Sequence, residues 1–288
     1  MYSIDYTYVS HPGKIRTKHE DNLICLGSYL PEGNSGMPQV TGQTNAAAPR
    51  LFGVFDGMGG EDRGEMASLM AAETMAGWDL SGRGSALASC CREANRRIVH
   101  YTEEEGLRCC GTTAALLLLD EKGAVACNLG DSRIYRMRDG ELTRLSEDHI
   151  LPMYGGRKGP LIQYLGLPET ESVLEPTMVE GPARDGDLYL LCTDGLTDLV
   201  DEDRIAEVCR EAGEPDPFNR VRTLREDEEE GEETVRMVPG PLEKAGKKLL
   251  DEALEAGGRD NTTLILVRIS GSSEEKTEKP GFFRRLLG

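Results

Sequence analysis

Four Asp-Gly pairs punctuate the sequence: Asp56-Gly57, Asp139-Gly140, Asp185-Gly186 and Asp194-Gly195. Asp-Gly is a common turn signal, so a single instance carries little information. Asp139-Gly140 joins two strand-like segments and Asp185-Gly186 precedes one; both read as ordinary turns. The other two pairs differ. Asp56 directly follows the apolar run LFGVF, and Asp194 follows DLYLLCT; each leads toward a helix-like segment. A carboxylate at the end of a buried strand sits on a rigid support at the rim of the core. There a metal ligand stands beside the turn residue as a reading. Glu20-Asp21 precedes another strand-like segment, and Asp260 precedes the last one. Four acidic positions far apart in sequence can therefore converge on one pole. Hard cations such as magnesium and manganese prefer such oxygen ligands, with water completing the shell.

The elements that must hold these carboxylates follow from periodicity. Alternating or continuous apolar runs predict strands over Tyr2–Val9, Asp21–Leu26, Leu51–Phe55, Thr113–Leu119, Ala124–Leu129, Arg133–Met137, Asp187–Thr193 and Thr262–Ile269. Asp139-Gly140 marks a hairpin between RIYRM and ELTRL. Helical spacing predicts helices over Gly64–Trp78, Ser85–Glu105, Asp201–Glu211 and Leu242–Ala256. Residues Leu30–Arg50, rich in Pro, Gly, Asn, Thr and Ala, read as a loop. The many hairpins imply antiparallel sheets, and four amphipathic helices can cover two of them. The expected fold is α+β: a four-layer α/β/β/α sandwich in which helix pairs flank two antiparallel sheets, formed as one domain over 1–270. An acidic stretch at 225–233 reads as a solvated insertion, 271–280 as a polar linker, and 281–288 as a basic, apolar tail.

Composition excludes some classes. The chain has 288 residues and a formal net charge of −18. That balance opposes a nucleic-acid partner, because backbone phosphates need a basic face. The eight cysteines lack CxxC spacing, and no histidine pattern completes a zinc site. Several lie in apolar runs and read as small buried hydrophobes in a reducing compartment. The N-terminal segment lacks a basic region followed by an apolar one, so it does not read as a signal peptide. No apolar run has the length of a membrane span. A cytoplasmic location is the expectation.

The ordered motifs carry a family resemblance. They are R-x-x-x-E-D at Arg16–Asp21, VFDGMGG at Val54–Gly60, GTT at Gly111–Thr113, NLGDSR at Asn128–Arg133, SEDH at Ser146–His149, YLG ending at Gly166, CTDGLTD at Cys192–Asp198 and GRDNTTLILV at Gly258–Val267. The chain resembles the type 2C metal-dependent protein phosphatases, particularly bacterial members, over about residues 1–270. The resemblance implies metal-dependent hydrolysis of phosphoserine and phosphothreonine on proteins by a metal-activated water. It implies two central magnesium or manganese ions held by Asp56, Asp194 and Asp260 through their side chains and by Gly57 through its carbonyl. Glu20 and Asp21 would ligate metal or hold metal-bound waters, with Asp21 counted among the ligands. Arg16 would grip the substrate phosphate, since a guanidinium fork suits a phosphate dianion. Asp131 and Asp198 match positions that bind a third, weaker ion in bacterial relatives. Taken alone, Asp131 reads as a hairpin-turn residue and Asp198 as a helix N-cap. The implied partners are phosphorylated proteins and a serine/threonine kinase.

Three departures from the pattern bear on substrate handling. His19 stands where relatives usually carry Asn and reads as a partly exposed polar residue. Met58 takes the place of a histidine that could serve as general acid in many eukaryotic relatives. The segment ILPMYGGRKGP after His149 is much shorter than the flap of the family. Its glycines and prolines favour a compact irregular loop, so weak discrimination among phosphopeptides is expected. In the tail, Phe282, Phe283, Leu286 and Leu287 with Arg284 and Arg285 suggest a docking element for a partner protein. Other readings remain: a non-catalytic member that binds a partner, a phosphatase acting on a small molecule, and a calcium-binding structural protein. The last lacks the clustered ligands of calcium loops.

Overall fold

The computed structural model describes residues 2–58, 63–153, 158–213 and 240–271. In chain order these residues form β1 (Tyr2–His11), β2 (Asp21–Cys25), β3 (Ser28–Tyr29), β4 (Met37–Asn45), β5 (Arg50–Met58), α1 (Gly64–Ala76) and α2 (Gly84–Glu104). There follow β6 (Gly111–Thr112), β7 (Ala114–Asp120), β8 (Gly123–Leu129), β9 (Arg133–Arg138), β10 (Glu141–Arg144), β11 (Thr177–Gly181) and β12 (Leu188–Cys192). The last elements are α3 (Asp194–Thr197), α4 (Glu202–Gly213), α5 (Pro241–Glu255) and β13 (Thr262–Gly271).

Two antiparallel sheets result. One has the order β10-β9-β12-β13-β1-β4; the other runs β11-β8-β7-β5-β2-β3, with β6 paired to β5. The helices α1 and α2 cover the second sheet, and α4 and α5 cover the first. This is the expected four-layer sandwich.

Side-chain alternation explains why the central strands read as unbroken apolar runs. Successive residues of a strand point to opposite faces, and here both faces are buried. In β7, Ala114, Leu116 and Leu118 pack under α1 and α2, while Ala115, Leu117 and Leu119 enter the core between the sheets. In β13, Leu264 and Leu266 pack under α4 and α5, while Ile265, Val267 and Ile269 face the inter-sheet core. The cysteines follow the same logic: seven are buried and Cys109 is exposed.

Several expectations are corrected. The segment read as a loop over 30–50 contains β4, which pairs with β1 in the register Thr7↔Thr41. Asp131 does not sit in a hairpin, because β8 and β9 belong to different sheets; its turn carries the chain across the sandwich. Asp198 does not begin a helix. Its amide donates to the Asp194 carbonyl at the end of α3, and it is Asp201 whose carboxylate caps α4 through the Arg204 amide. Asp139-Gly140 does turn a hairpin, with φ of 52° and 81°, the left-handed pair that matches strand twist. The stretch at 225–233 and the tail at 281–288 lie outside the described residues, as does the linker except for Gly271, which ends β13.

Candidate metal-binding active site

The acidic positions gather at one pole because β2 and β5 are paired so that Asp21 lies opposite Asp56. Asp56 ends the buried part of β5. Its amide donates to the Thr113 hydroxyl at 2.9 Å, and its carbonyl accepts the Thr113 amide at 2.9 Å and the Thr112 hydroxyl at 2.9 Å. The backbone bearing this carboxylate therefore has no slack. The glycine after it is required by close packing: a Cβ on Gly57 would stand 2.3 Å from the Gly64 carbonyl oxygen and 2.5 Å from that of Glu20. Gly195, after Asp194, is closer still, since a Cβ there would stand 1.9 Å from the Asn261 oxygen. Both Asp-Gly pairs are places where backbone meets backbone beside a carboxylate.

Asp21 is buried at the start of β2. Its Oδ2 accepts the Thr263 hydroxyl at 2.7 Å and the Thr193 hydroxyl at 2.9 Å. Behind Thr263 the chain of contacts continues to the Ser10 hydroxyl at 2.7 Å and on to His19 Nε2 at 2.9 Å. His19 is thus buried, not partly exposed. Burial, followed by the nearby His11, lowers its pKa to about 4, so it is a neutral member of this network.

The loop before β2 is strapped to the turn before β13. The Asn261 carboxamide accepts the Glu20 amide at 2.7 Å and donates to the carbonyls of Pro12 at 2.9 Å and Lys18 at 3.0 Å. Lys14 adds a backbone bond to the Gly258 carbonyl at 2.7 Å. This strap brings Arg16 to Asp260, with Nη2 and Oδ2 2.6 Å apart. That contact raises the guanidinium pKa.

Arg16, Glu20, Asp56, Gly57, Met58, Asp194, Asp260 and Asn261 line one cleft of about 240 Å³. Asp21 lies behind it. Asp131 and Asp198 stand beside it with Asp194, and all three carboxylates face the ammonium of Lys158. The Nζ is 2.7 Å from Asp131 and 3.5 Å from Asp198, and it also contacts Asp194.

The electrostatics follow from this crowding. Burial pushes the Asp56 pKa well up, and the charges of Asp194, Asp21 and Asp131 push it further. Burial and then Asp194 raise Asp131 and Asp198, with Lys158 opposing. Glu20 is raised by burial and by Glu65, and its Oε1 is buried without a hydrogen-bond partner. A set of buried carboxylates with an orphaned oxygen is ionised only against added positive charge. The donor set is all oxygen, which fits magnesium or manganese. Among the described residues no three acidic, histidine or cysteine side chains already form a closed metal cage. The reason is visible: Asp194 is held by Lys158 and Asp260 by Arg16.

Reading the sequence missed Asn261, Thr193, Thr263, Ser10 and Lys158. Each acts through contacts remote in sequence, and their residue types are common on any surface. In the flap segment Ile150 and Leu161 form an isolated antiparallel bridge, and the described residues between them are irregular, as expected. Gly155 and Gly156 lie outside the described residues.

Comparison with known proteins agrees with this geometry. The family profile described as Protein phosphatase 2C matches residues 41–225. The serine/threonine phosphatase stp of Listeria monocytogenes is 30% identical over 278 residues, 88% of this chain and 92% of that protein. The serine/threonine protein phosphatase PstP of Mycobacterium tuberculosis is 28% identical over 257 residues, 84% of this chain; the match spans 45% of that protein's length. The solved catalytic domain of PstP, in complex with two manganese ions, superposes with a TM-score of 0.67 at 26% identity, covering 94% of this chain and 100% of that one. With the matching profile spanning most of the sandwich and the full-length bacterial relative aligned nearly end to end, this chain belongs to the protein phosphatase 2C family.

Proposed function

We propose that the protein hydrolyses phosphoserine and phosphothreonine esters of proteins in a reaction that requires magnesium or manganese. The observation that carries this reading is the single cleft lined by Asp56, Asp194, Asp260, Glu20 and Arg16. Asp56, Asp194 and Asp260 with the Gly57 carbonyl would hold two ions, and Asp131 with Asp198 a third, weaker one. Bound there, such ions supply Lewis-acid charge and lower the pKa of water so that hydroxide exists near neutral pH.

The chain's own residues account for the rest. Arg16, half exposed at the cleft, offers a planar fork to a phosphate dianion and offsets charge that builds on the transferring phosphoryl group. Asp260 orients that fork from the opposite side. Burial pushes the Asp21 pKa up to about 8 even though two threonine hydroxyls donate to it, so its charge behind the cleft would be held by added cations. Glu20 lines the cleft and its buried Oε1 has no hydrogen-bond partner; it would ligate an ion or hold a water. Met58 lines the cleft where a proton donor could have stood, so water must protonate the leaving alkoxide. No cysteine lines the cleft, and no protein nucleophile is needed.

The substrates are phosphorylated proteins, and a serine/threonine kinase is the opposing partner. Cytoplasmic residence is supported by free, mostly buried cysteines. No helix among the described residues is long and apolar enough to cross a membrane. The tail at 281–288 would dock a partner protein, so its deletion should leave hydrolysis of a small phosphate ester unchanged while weakening co-purification. The central test is phosphate release from a phosphoserine and phosphothreonine peptide panel with manganese, with magnesium and with excess EDTA. Release with either ion and none with EDTA is expected. Full release in EDTA, or hydrolysis confined to small esters, overturns the reading.

A further inference from the structure

Lys158 has no part in the hydrolytic scheme, yet it is placed with care. One ammonium faces three carboxylates from two separate turns: Asp131 at 2.7 Å, Asp198 at 3.5 Å and Asp194 in direct contact. The backbone delivers it there. Ile150 and Leu161 are bridged, the Leu151 amide donates to the Pro160 carbonyl at 2.9 Å, and the Ile162 amide donates to the His149 carbonyl at 2.9 Å. Gly159, next to the lysine, passes so near Leu151 that a Cβ would stand 1.9 Å from its carbonyl oxygen. The base of this hairpin is joined to the Asp131 turn. The His149 amide donates to the Gly130 carbonyl at 3.0 Å, and the Gly130 amide donates to His149 Nδ1 at 3.2 Å. The cation and one of its carboxylates thus ride on a single braced unit.

A divalent ion bound by the same oxygens would sit roughly 2–2.6 Å from each of them. That position lies within a few ångströms of Nζ, where two positive charges among shared carboxylates repel strongly. The two cations exclude one another. We infer that Lys158 is a tethered cation that competes with a divalent ion for the Asp131, Asp194 and Asp198 carboxylates, so that a third ion enters only when the ammonium withdraws. The inference rests on the reading of this pole as a divalent-metal site. It makes the ammonium of Lys158 a built-in antagonist of the weak ion.

The test counts ions rather than turnover. The full chain, Lys158→Gln and Lys158→Arg are titrated with Mn²⁺, read by calorimetry and by the electron paramagnetic resonance signal of free Mn²⁺. Circular dichroism confirms that each variant is folded. In Lys158→Gln the weakest Mn²⁺ should bind about tenfold more tightly, or ~1.4 kcal/mol, and the tight ions, of whose proposed ligands only Asp194 touches Lys158, should tighten by less. In Lys158→Arg, which keeps the charge, the weakest ion should stay within about twofold of the parent. Equal weak-site affinity in Lys158→Gln and the parent, with tight ions retained in both, overturns the lock alone. Absence of any Mn²⁺ binding by all three proteins overturns both the lock and the metal-site reading beneath it.

Discussion

Two groups of carboxylates share the pole, and they are mounted differently. Asp21 and Asp56 sit opposite one another on paired strands, with hydroxyls and amides filling the space around them. Asp131 sits on a crossing turn, Asp194 begins the short α3 and Asp198 follows it, and the single ammonium of Lys158 contacts all three. Among the described residues no protein cation contacts the first group; the second carries its own. Strand-mounted ligands are suited to ions that stay. Asp131 and Asp198, which face a resident ammonium, are suited to an ion that comes and goes, and Asp194 is shared between the two groups. Rigid support gives precision at a metal, and a movable counter-charge gives a graded response.

The largest effect should come from removing charge on the strand-mounted side. Asp56→Asn should lose turnover by about a thousandfold or more, the equivalent of ~4 kcal/mol of transition-state stabilisation, while circular dichroism shows an intact fold. Asp131→Ala should instead keep two tight ions by calorimetry and turn over only several-fold more slowly, in the range of about 1 kcal/mol. Equal loss in both variants would erase the distinction between the two groups.

Arg16→Ala should come next. Its contact with phosphate exists in ground state and transition state alike, so KM should rise more than kcat falls. Loss of one charge-assisted contact costs roughly 1.5–3 kcal/mol. An unchanged kcat/KM would remove Arg16 from the site. Thr263→Val probes the support itself: it deletes a hydroxyl donated to the buried Asp21 and should cost about 1–3 kcal/mol in urea denaturation. If stability is unchanged, the strand-mounted group is not held as described.

The smallest effect concerns the brace between flap and turn. His149 accepts the Gly130 amide through Nδ1, so its ring proton lies on Nε2 and is donated to the Thr177 hydroxyl at 2.9 Å. Burial depresses its pKa, with Glu147 and Asp148 opposing. The folded state therefore favours the neutral ring. This contribution is complete above the ordinary histidine value of about 6.5 and is lost as pH falls through the lower folded value. Wild type should lose more stability between pH 7.5 and 5.5 than His149→Gln does, measured by urea midpoints. Parallel loss in the two proteins would show that His149 does not sense pH.

Much of this architecture was legible because burial on both faces writes a continuous apolar run, as in β7, β12 and β13. The carboxylates were legible because they end such runs. What was not legible depends on partners far away in the chain. β4 is a polar, half-exposed edge strand whose only marker is its register with β1. The Thr263 hydroxyl reaches a carboxylate 242 positions away, and nothing local distinguishes it from any strand threonine. His19 was read as exposed because histidine commonly is; its burial follows from Ser10, which the strand β1 brings to it. Nothing in the sequence singles out Lys158; the bridge of Ile150 to Leu161 aims it at the pole.

The pairing of β1 with β13 runs unbroken from Tyr2↔Gly271 to His11↔Thr262, and this has a consequence for biosynthesis. β13 sits between β12 and β1 in the middle of its sheet, yet it leaves the ribosome after all the other described strands. Until then β1 is paired on one side only, by β4, the core under α4 and α5 lacks Leu264 and Leu266, and the pole lacks the Asn261 strap. Long-range pairing of this kind is slow and leaves edges exposed while it waits. A chain short of β13 therefore has an open sheet edge and an unfinished pole. Closure of this sheet and completion of the cleft depend on the same last-arriving segment.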